Sequence, residues 1–186
     1  VERISNMNAE QKNFIEVVGA IASTDMKNSG VAASLTIAQA IIESAWGKSE
    51  LTKTGNALFG IKATSNWKGK TLKRKTTEYE DGKKVQVEAE FRAYATWEES
   101  VKDHSAFLKK YKRYAKVIGE TDYKEACKAV AAAEYATDPE YAKKLIELIE
   151  TYELYNYDTK NTETDNLEAE EKKYYRVQAG AFRKKE

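Results

Sequence analysis

SLTIAQAIIESAWGKS, residues 34–49, is the stretch whose reading decides the fold of this chain. It is apolar on nearly every side through Trp46, and Gly47 then offers the left-handed conformation that stops a helix. The spacing predicts a central, buried helix over 35–46, opened by Ser34. Upstream, Asn8 with Gln11 marks a helix N-terminus, and Phe14, Ile15, Val17, Val18, Ile21 and Ala22 carry that helix to about Thr24. Downstream, Gly55, Gly60 and Gly69 make 50–69 a loop with short helical pieces. From 70 to 94 the character changes. Thr71, Thr76, Thr77, Tyr79, Val85, Val87, Phe91 and Tyr94 are strand formers, and Asp81-Gly82 is a hairpin turn signal.

Helical patterns resume after the hairpin. Thr96 with Glu99 opens a helix that buries Trp97, Val101, His104, Phe107 and Leu108. An Ala-rich helix follows over 122–133, and Asp138-Pro139 launches a last one through Leu145, Ile146, Leu148, Ile149 and Tyr152. The expected class is α+β, mainly α: a helical body around one buried helix, with a small β-hairpin lobe. The globular domain is expected over 1–157. A polar, acidic linker follows over 158–173, and 174–186 regains strand character. No internal repeat is visible.

The chain has 186 residues, 41% apolar and 33% charged, ordinary values for a globular protein with a well-solvated surface. Lys and Arg total 31 against 30 for Asp and Glu, and this balance argues against a dedicated nucleic-acid binder. The single Cys127 excludes an intrachain disulfide and a CxxC site, and leaves the redox compartment open. The single His104 falls on an apolar face as a packed core residue and has no second histidine with which to build a zinc site. No apolar run approaches a membrane span, so no membrane insertion is expected; 1–8 is polar rather than signal-like. No metal or cofactor is implied.

Glu43 is the ionisable side chain of the central helix, set between Ile41-Ile42 and Ala45-Trp46. A carboxylate near the C-terminal end of an apolar helix loses solvation and meets the negative end of the helix dipole; both favour the protonated form. A proton held near neutral pH is what a glycosidase acid donates to a departing sugar oxygen. From spacing alone Glu43 fits equally well on an exposed stripe with Gln39, Ser44 and Lys48. The basic run of Lys68, Lys70, Lys73, Arg74 and Lys75 reads as solvated hairpin surface. Cys127 reads as a small buried residue rather than a nucleophile with His104 as base.

The 34–49 string, together with Asn56-Ala-Leu-Phe-Gly-Ile-Lys62, resembles the signature of glycoside hydrolase family 73. Further matches follow in order: Thr77-Glu78-Tyr79, Phe91-Arg92-Ala93-Tyr94, Trp97-Glu-Glu-Ser100, and Tyr135-Ala-Thr-Asp-Pro139 with Tyr141. The resemblance spans roughly residues 8–155. It implies a lysozyme-like fold and a peptidoglycan endo-beta-N-acetylglucosaminidase cleaving on the reducing side of N-acetylglucosamine. It also implies Glu43 as general acid, Glu78 as candidate second carboxylate, and Tyr135 as a catalytic-groove tyrosine. Asn56, Phe59, Tyr94 and Tyr141 become candidate substrate-binding residues, though Phe59 also reads as core. Glu134 stands where the family commonly has Gly, which puts the pose of Tyr135 in doubt. A muramidase or lytic transglycosylase of similar fold is the alternative chemistry, and a non-catalytic wall-binding module the alternative class. Lys173-Tyr-Tyr-Arg-Val-Gln-Ala-Gly-Ala-Phe182 resembles the opening strand of a SPOR domain, a glycan-binding module. The expected partner is the peptidoglycan glycan strand and the expected state a monomer. The setting is the bacterial cell wall, as a secreted autolysin or a phage endolysin.

Overall fold

The computed structural model describes residues 7–80 and 83–159, without the side chains of the hairpin tip at 77–84 or of residue 159. The turn at Asp81-Gly82, most of the acidic stretch and the SPOR-like string lie outside the described residues. The helices are α1 (Ala9–Ser29), α2 (Ala33–Ser44), α3 (Glu50–Gly55), α4 (Trp97–Lys110), α5 (Tyr123–Ala132), α6 (Tyr141–Thr151) and α7 (Asn156–Thr159). Between α3 and α4 stand the antiparallel strands β1 (Thr71–Glu80) and β2 (Lys83–Arg92), paired from Thr71 opposite Arg92 to Glu80 opposite Lys83. This is the expected helical body with a hairpin lobe.

α2 is the axis of the body. Leu35, Ile37, Ala38 and Ala40 have no exposed surface, because α1, α5, α6 and α7 all pack on this helix. Burying side chains such as Leu35 and Ile37 contributes about 1.5–3 kcal/mol each. α1 starts at the expected reciprocal cap, Gln11 N–H donating to Asn8 Oδ1 and Asn8 N–H to Gln11 Oε1. It runs beyond Thr24 to Ser29, where Gly30 ends it at φ 74°. α6 starts at Tyr141, later than Pro139, and Asp138 accepts from Glu140 N–H in the turn before it. Asp158, read from sequence as the first linker residue, lies in α7 and accepts the Ser34 N–H at 2.8 Å, satisfying a donor in the first turn of α2.

α2 stops two residues earlier than Gly47 alone suggests. Ala45, Trp46 and Gly47 all have positive φ (49°, 61° and 77°), and the first two carry a Cβ that disfavours this region by about 1–2 kcal/mol each. Ser44 holds the turn: its hydroxyl accepts from Gly47 N–H at 2.7 Å, and its carbonyl from Ser49 N–H at 2.8 Å. The Trp46 ring anchors it from outside, edge-on to Phe14 and Tyr152. The strained turn therefore sits directly after Glu43 and fixes where that helix, and its carboxylate, end.

The hairpin is tied to the body at its base. Arg92 N–H donates to Ile61 O and Ala63 N–H to Glu90 O, so the loop after α3 runs along β2. Arg92 is buried and paired through Nη1 with both Asp103 oxygens at 2.9 and 3.1 Å. Tyr94 donates to the same carboxylate at 2.7 Å, and the Arg92 guanidinium lies 4.7 Å over the Trp67 ring. Lys73 meets Glu88 across the strands on a solvated face, as expected for the basic run.

Candidate active site

Glu43 lies in the last turn of α2, one residue before its end, and is half-buried. Its Oε1 accepts the Tyr141 hydroxyl at 2.8 Å. Burial raises its carboxyl above the ordinary carboxylate range, and the Tyr141 hydrogen bond offsets part of that rise. The exposed-stripe alternative fails at both neighbours, since Gln39 and Ser44 have no exposed surface. A cleft of about 560 Å³ opens between the end of α2 and α6, lined by Ile42, Trp46, Lys144, Leu148 and Tyr152; neither Glu43 nor Tyr141 is among its lining residues. A cleft of similar size lies between α1 and α4, with Asp25, Glu98 and Lys102, and it likewise holds none of the partners of the acid.

Tyr141 is 2% exposed, so it acts on the acid from inside the core and presents no face to a sugar. Tyr135 stacks parallel to it, ring centroids 6.1 Å apart, with the edges of Phe107, His104 and Tyr114 around it. Burial, then the Tyr141 and Glu43 charges, hold its phenol well above the usual range, so it stays a neutral donor beside the acid. It is half-buried.

The residue before it answers the question raised by the sequence. Glu134 has φ 54°, the left-handed region in which Gly is unstrained, and its side chain is exposed. We expect Glu134→Gly to stabilise the fold by a net ~0.5–1 kcal/mol, relief of strain less the entropy of a freer chain. A thermal melt reads this as a rise of about 1–4 °C. A lower midpoint would show that the Glu side chain holds the turn.

Other candidates have structural duties. Phe59 is not a groove residue: it is 4% exposed and stacked on His104 at 3.9 Å, which leaves no face for substrate. Tyr94 is likewise buried, with its hydroxyl spent on Asp103. Asn56 caps α3 at φ 51° and donates its amide to Tyr94 O and Ala95 O, joining α3 to the approach of α4. Glu78 stands opposite Val85 near the hairpin tip; its side chain lies outside the described residues. Cys127 is buried and its thiol is pushed up to about 12, so it stays neutral. His104 is core, as expected, but bonds to Gln39, a partner the sequence reading did not assign. Gln39 stands one helical turn before Glu43, and that i, i+4 spacing was the available signal. No cluster of metal-ligating side chains occurs among the described residues.

A family model described as mannosyl-glycoprotein endo-beta-N-acetylglucosaminidase matches residues 19–154. The chain belongs to this glucosaminidase family. Exo-glucosaminidase LytG of Bacillus subtilis is 41% identical to this chain over 157 residues, 82% of this chain and 55% of the relative. Peptidoglycan hydrolase FlgJ of Salmonella typhimurium is 34% identical over 166 residues, 87% and 52% of the two chains. The chain thus spans about half the length of these curated relatives. The catalytic domain of the autolysin Auto from Listeria monocytogenes superposes with a TM-score of 0.75 at 34% identity, over 82% of this chain and 90% of that one. The chain has the lysozyme-like architecture expected from its motifs, and no helix among the described residues is long and apolar enough to cross a membrane.

Proposed function

We propose that this domain hydrolyses peptidoglycan glycan at the bond on the reducing side of N-acetylglucosamine, with Glu43 as general acid. The observation that carries this is a half-buried carboxyl at the end of the central helix, raised by burial and held by a tyrosine hydroxyl. A protonated Glu43 donates to the glycosidic oxygen as the C1–O bond breaks, and the departing sugar leaves with a new hydroxyl. Water completes the reaction at C1 and releases its proton to a base. Glu78 of the hairpin is the proposed base or nucleophile; the substrate's own N-acetyl group is the alternative. Tyr135, whose phenol burial keeps neutral, is the proposed hydrogen-bond donor to the acetamido group. LytG and FlgJ are named as a glucosaminidase and a peptidoglycan hydrolase, which supports the bacterial cell wall as the place of action.

A muramidase reading has one observation in its favour. A Lactococcus lactis relative 37% identical over 153 residues is named a probable N-acetylmuramidase. Digestion of purified peptidoglycan, reduction of the products and mass spectrometry separate the two. We expect reduced N-acetylglucosamine ends. Reduced N-acetylmuramic acid ends would make the domain a muramidase, anhydro ends a lytic transglycosylase, and binding without fragments a wall-binding module. The size of the fragments separates endo from exo cleavage, the mode in the printed name of LytG.

A further inference from the structure

Gln39, His104 and Tyr141 are polar side chains in an apolar core, 0, 0 and 2% exposed. A buried polar group left without a partner costs about 1–3 kcal/mol, and these three satisfy one another in a chain that ends on Glu43. His104 Nε2 lies 3.1 Å from Gln39 Oε1. Gln39 Nε2 donates to Tyr141 Oη at 3.1 Å, and Tyr141 donates to Glu43 Oε1 at 2.8 Å.

The direction of the chain is set at the histidine. Its ring stacks on Phe59, and its Nδ1 meets no partner among the described residues. A proton on Nδ1 would be a buried donor with nothing to bond, so the neutral ring carries its proton on Nε2. That N–H claims Gln39 Oε1 and turns the Gln39 amide N–H toward Tyr141. Tyr141 Oη accepts there and sends its own O–H to Glu43. With the amide reversed, the Gln39 carbonyl would take the Tyr141 hydrogen and the acid would lose its donor.

The structure assigns His104 and Gln39 a positioning role: together they keep Tyr141 a donor to Glu43 Oε1, so that the proton Glu43 delivers resides on Oε2. This rests on Glu43 as the acid. The groups bearing on the site are the Tyr141 phenol of α6, the Tyr135 phenol of the α5–α6 connection and, behind Tyr141, the Cys127 thiol of α5. Lys144 and Glu147 of α6 line the cleft at Ile42 and Trp46, with Lys144 paired to Asp138.

The chain has one histidine, so 15N NMR of the labelled protein reads this ring alone. We expect the Nε2–H tautomer, unprotonated down to about pH 5 because burial lowers its pKa to about 3. An Nδ1–H tautomer, or titration near the ordinary histidine value, overturns the assignment. Gln39→Met keeps the volume and removes both polar ends. Its kcat should fall about tenfold with KM little changed, as the acid loses its fixed orientation. The alkaline limb of its kcat–pH profile should move to higher pH, since Tyr141 then stabilises the Glu43 carboxylate less. A defect of folding alone would lower the amplitude and leave the limb in place. An unmoved limb in Gln39→Met, with turnover still lost in Glu43→Gln, overturns the positioning role alone. Parent-like turnover in Glu43→Gln overturns the acid itself. The NMR result decides even where Gln39→Met does not fold.

Discussion

Glu43→Gln is expected to lower kcat on peptidoglycan by about 10²–10⁴-fold, the contribution of a positioned general acid. Gln fills the same volume and still accepts from Tyr141, so the surroundings of residue 43 keep their shape while the proton is gone. The same substitution should stabilise the fold at neutral pH. Burial raises the Glu43 carboxyl above its value of 4.5 in a solvated chain, so the folded state binds a proton that the unfolded state releases. The stability associated with that proton is fully present below pH 4.5 and is lost as pH rises through the folded pKa. At pH 7 the parent therefore bears the cost of a desolvated carboxylate and the Gln variant does not. A midpoint about 2–4 °C higher for Glu43→Gln near neutrality, vanishing below about pH 4.5, is the expected signature of a site that trades stability for function. Equal midpoints at both pH values would mean that Glu43 is solvated, and undiminished turnover would remove it as the acid.

The body of the fold was legible because its signals are local. The all-round apolar character of 34–46 predicted a buried helix, and Leu35 to Ile41 are indeed all buried. The Asn8–Gln11 cap and the strand formers around Asp81-Gly82 worked the same way, through neighbours in the chain. Helix ends were less legible. Nothing in Ala45 or Trp46 announces left-handed backbone; the turn exists because the Ser44 side chain and the Trp46 ring hold it there. The least legible features join distant segments. Tyr94 and Asn56 were assigned to substrate because they sit in family motifs, yet the motifs also encode the junction between hairpin and body. Their partners, Asp103 for Tyr94 and the backbone at Tyr94 and Ala95 for Asn56, appear only when the chain is folded. His104 was placed correctly in the core, but a core position says nothing of the amide it meets, 65 residues away in sequence.

Asp103→Ala should be among the most destabilising single substitutions outside the central helix. Arg92 ends β2 with its side chain 9% exposed, and among the described residues its guanidinium has one acidic partner, Asp103, itself 18% exposed. Its Nε meets no acceptor among the described residues, so the pair depends on the two contacts from Nη1. Removing the carboxylate strands a buried cation and also strips Tyr94 of its acceptor. Breaking a buried pair from one side costs about 3–5 kcal/mol, more than the pair itself contributes relative to an apolar replacement. For a domain of this size that is a drop of roughly 6–20 °C in the midpoint. Because the deficit lies in the uncompensated charge, Arg92→Met placed on top of Asp103→Ala should recover part of it, a coupling that a double-mutant cycle measures directly. The hairpin hangs from this junction, and Glu78 rides on the hairpin. Asp103→Ala should therefore lose turnover at temperatures where the helical body is still folded, if Glu78 takes part in the chemistry. Independent, additive losses from the two substitutions would show instead that water reaches Arg92 and that the junction rests on the backbone bonds of Ile61 and Ala63.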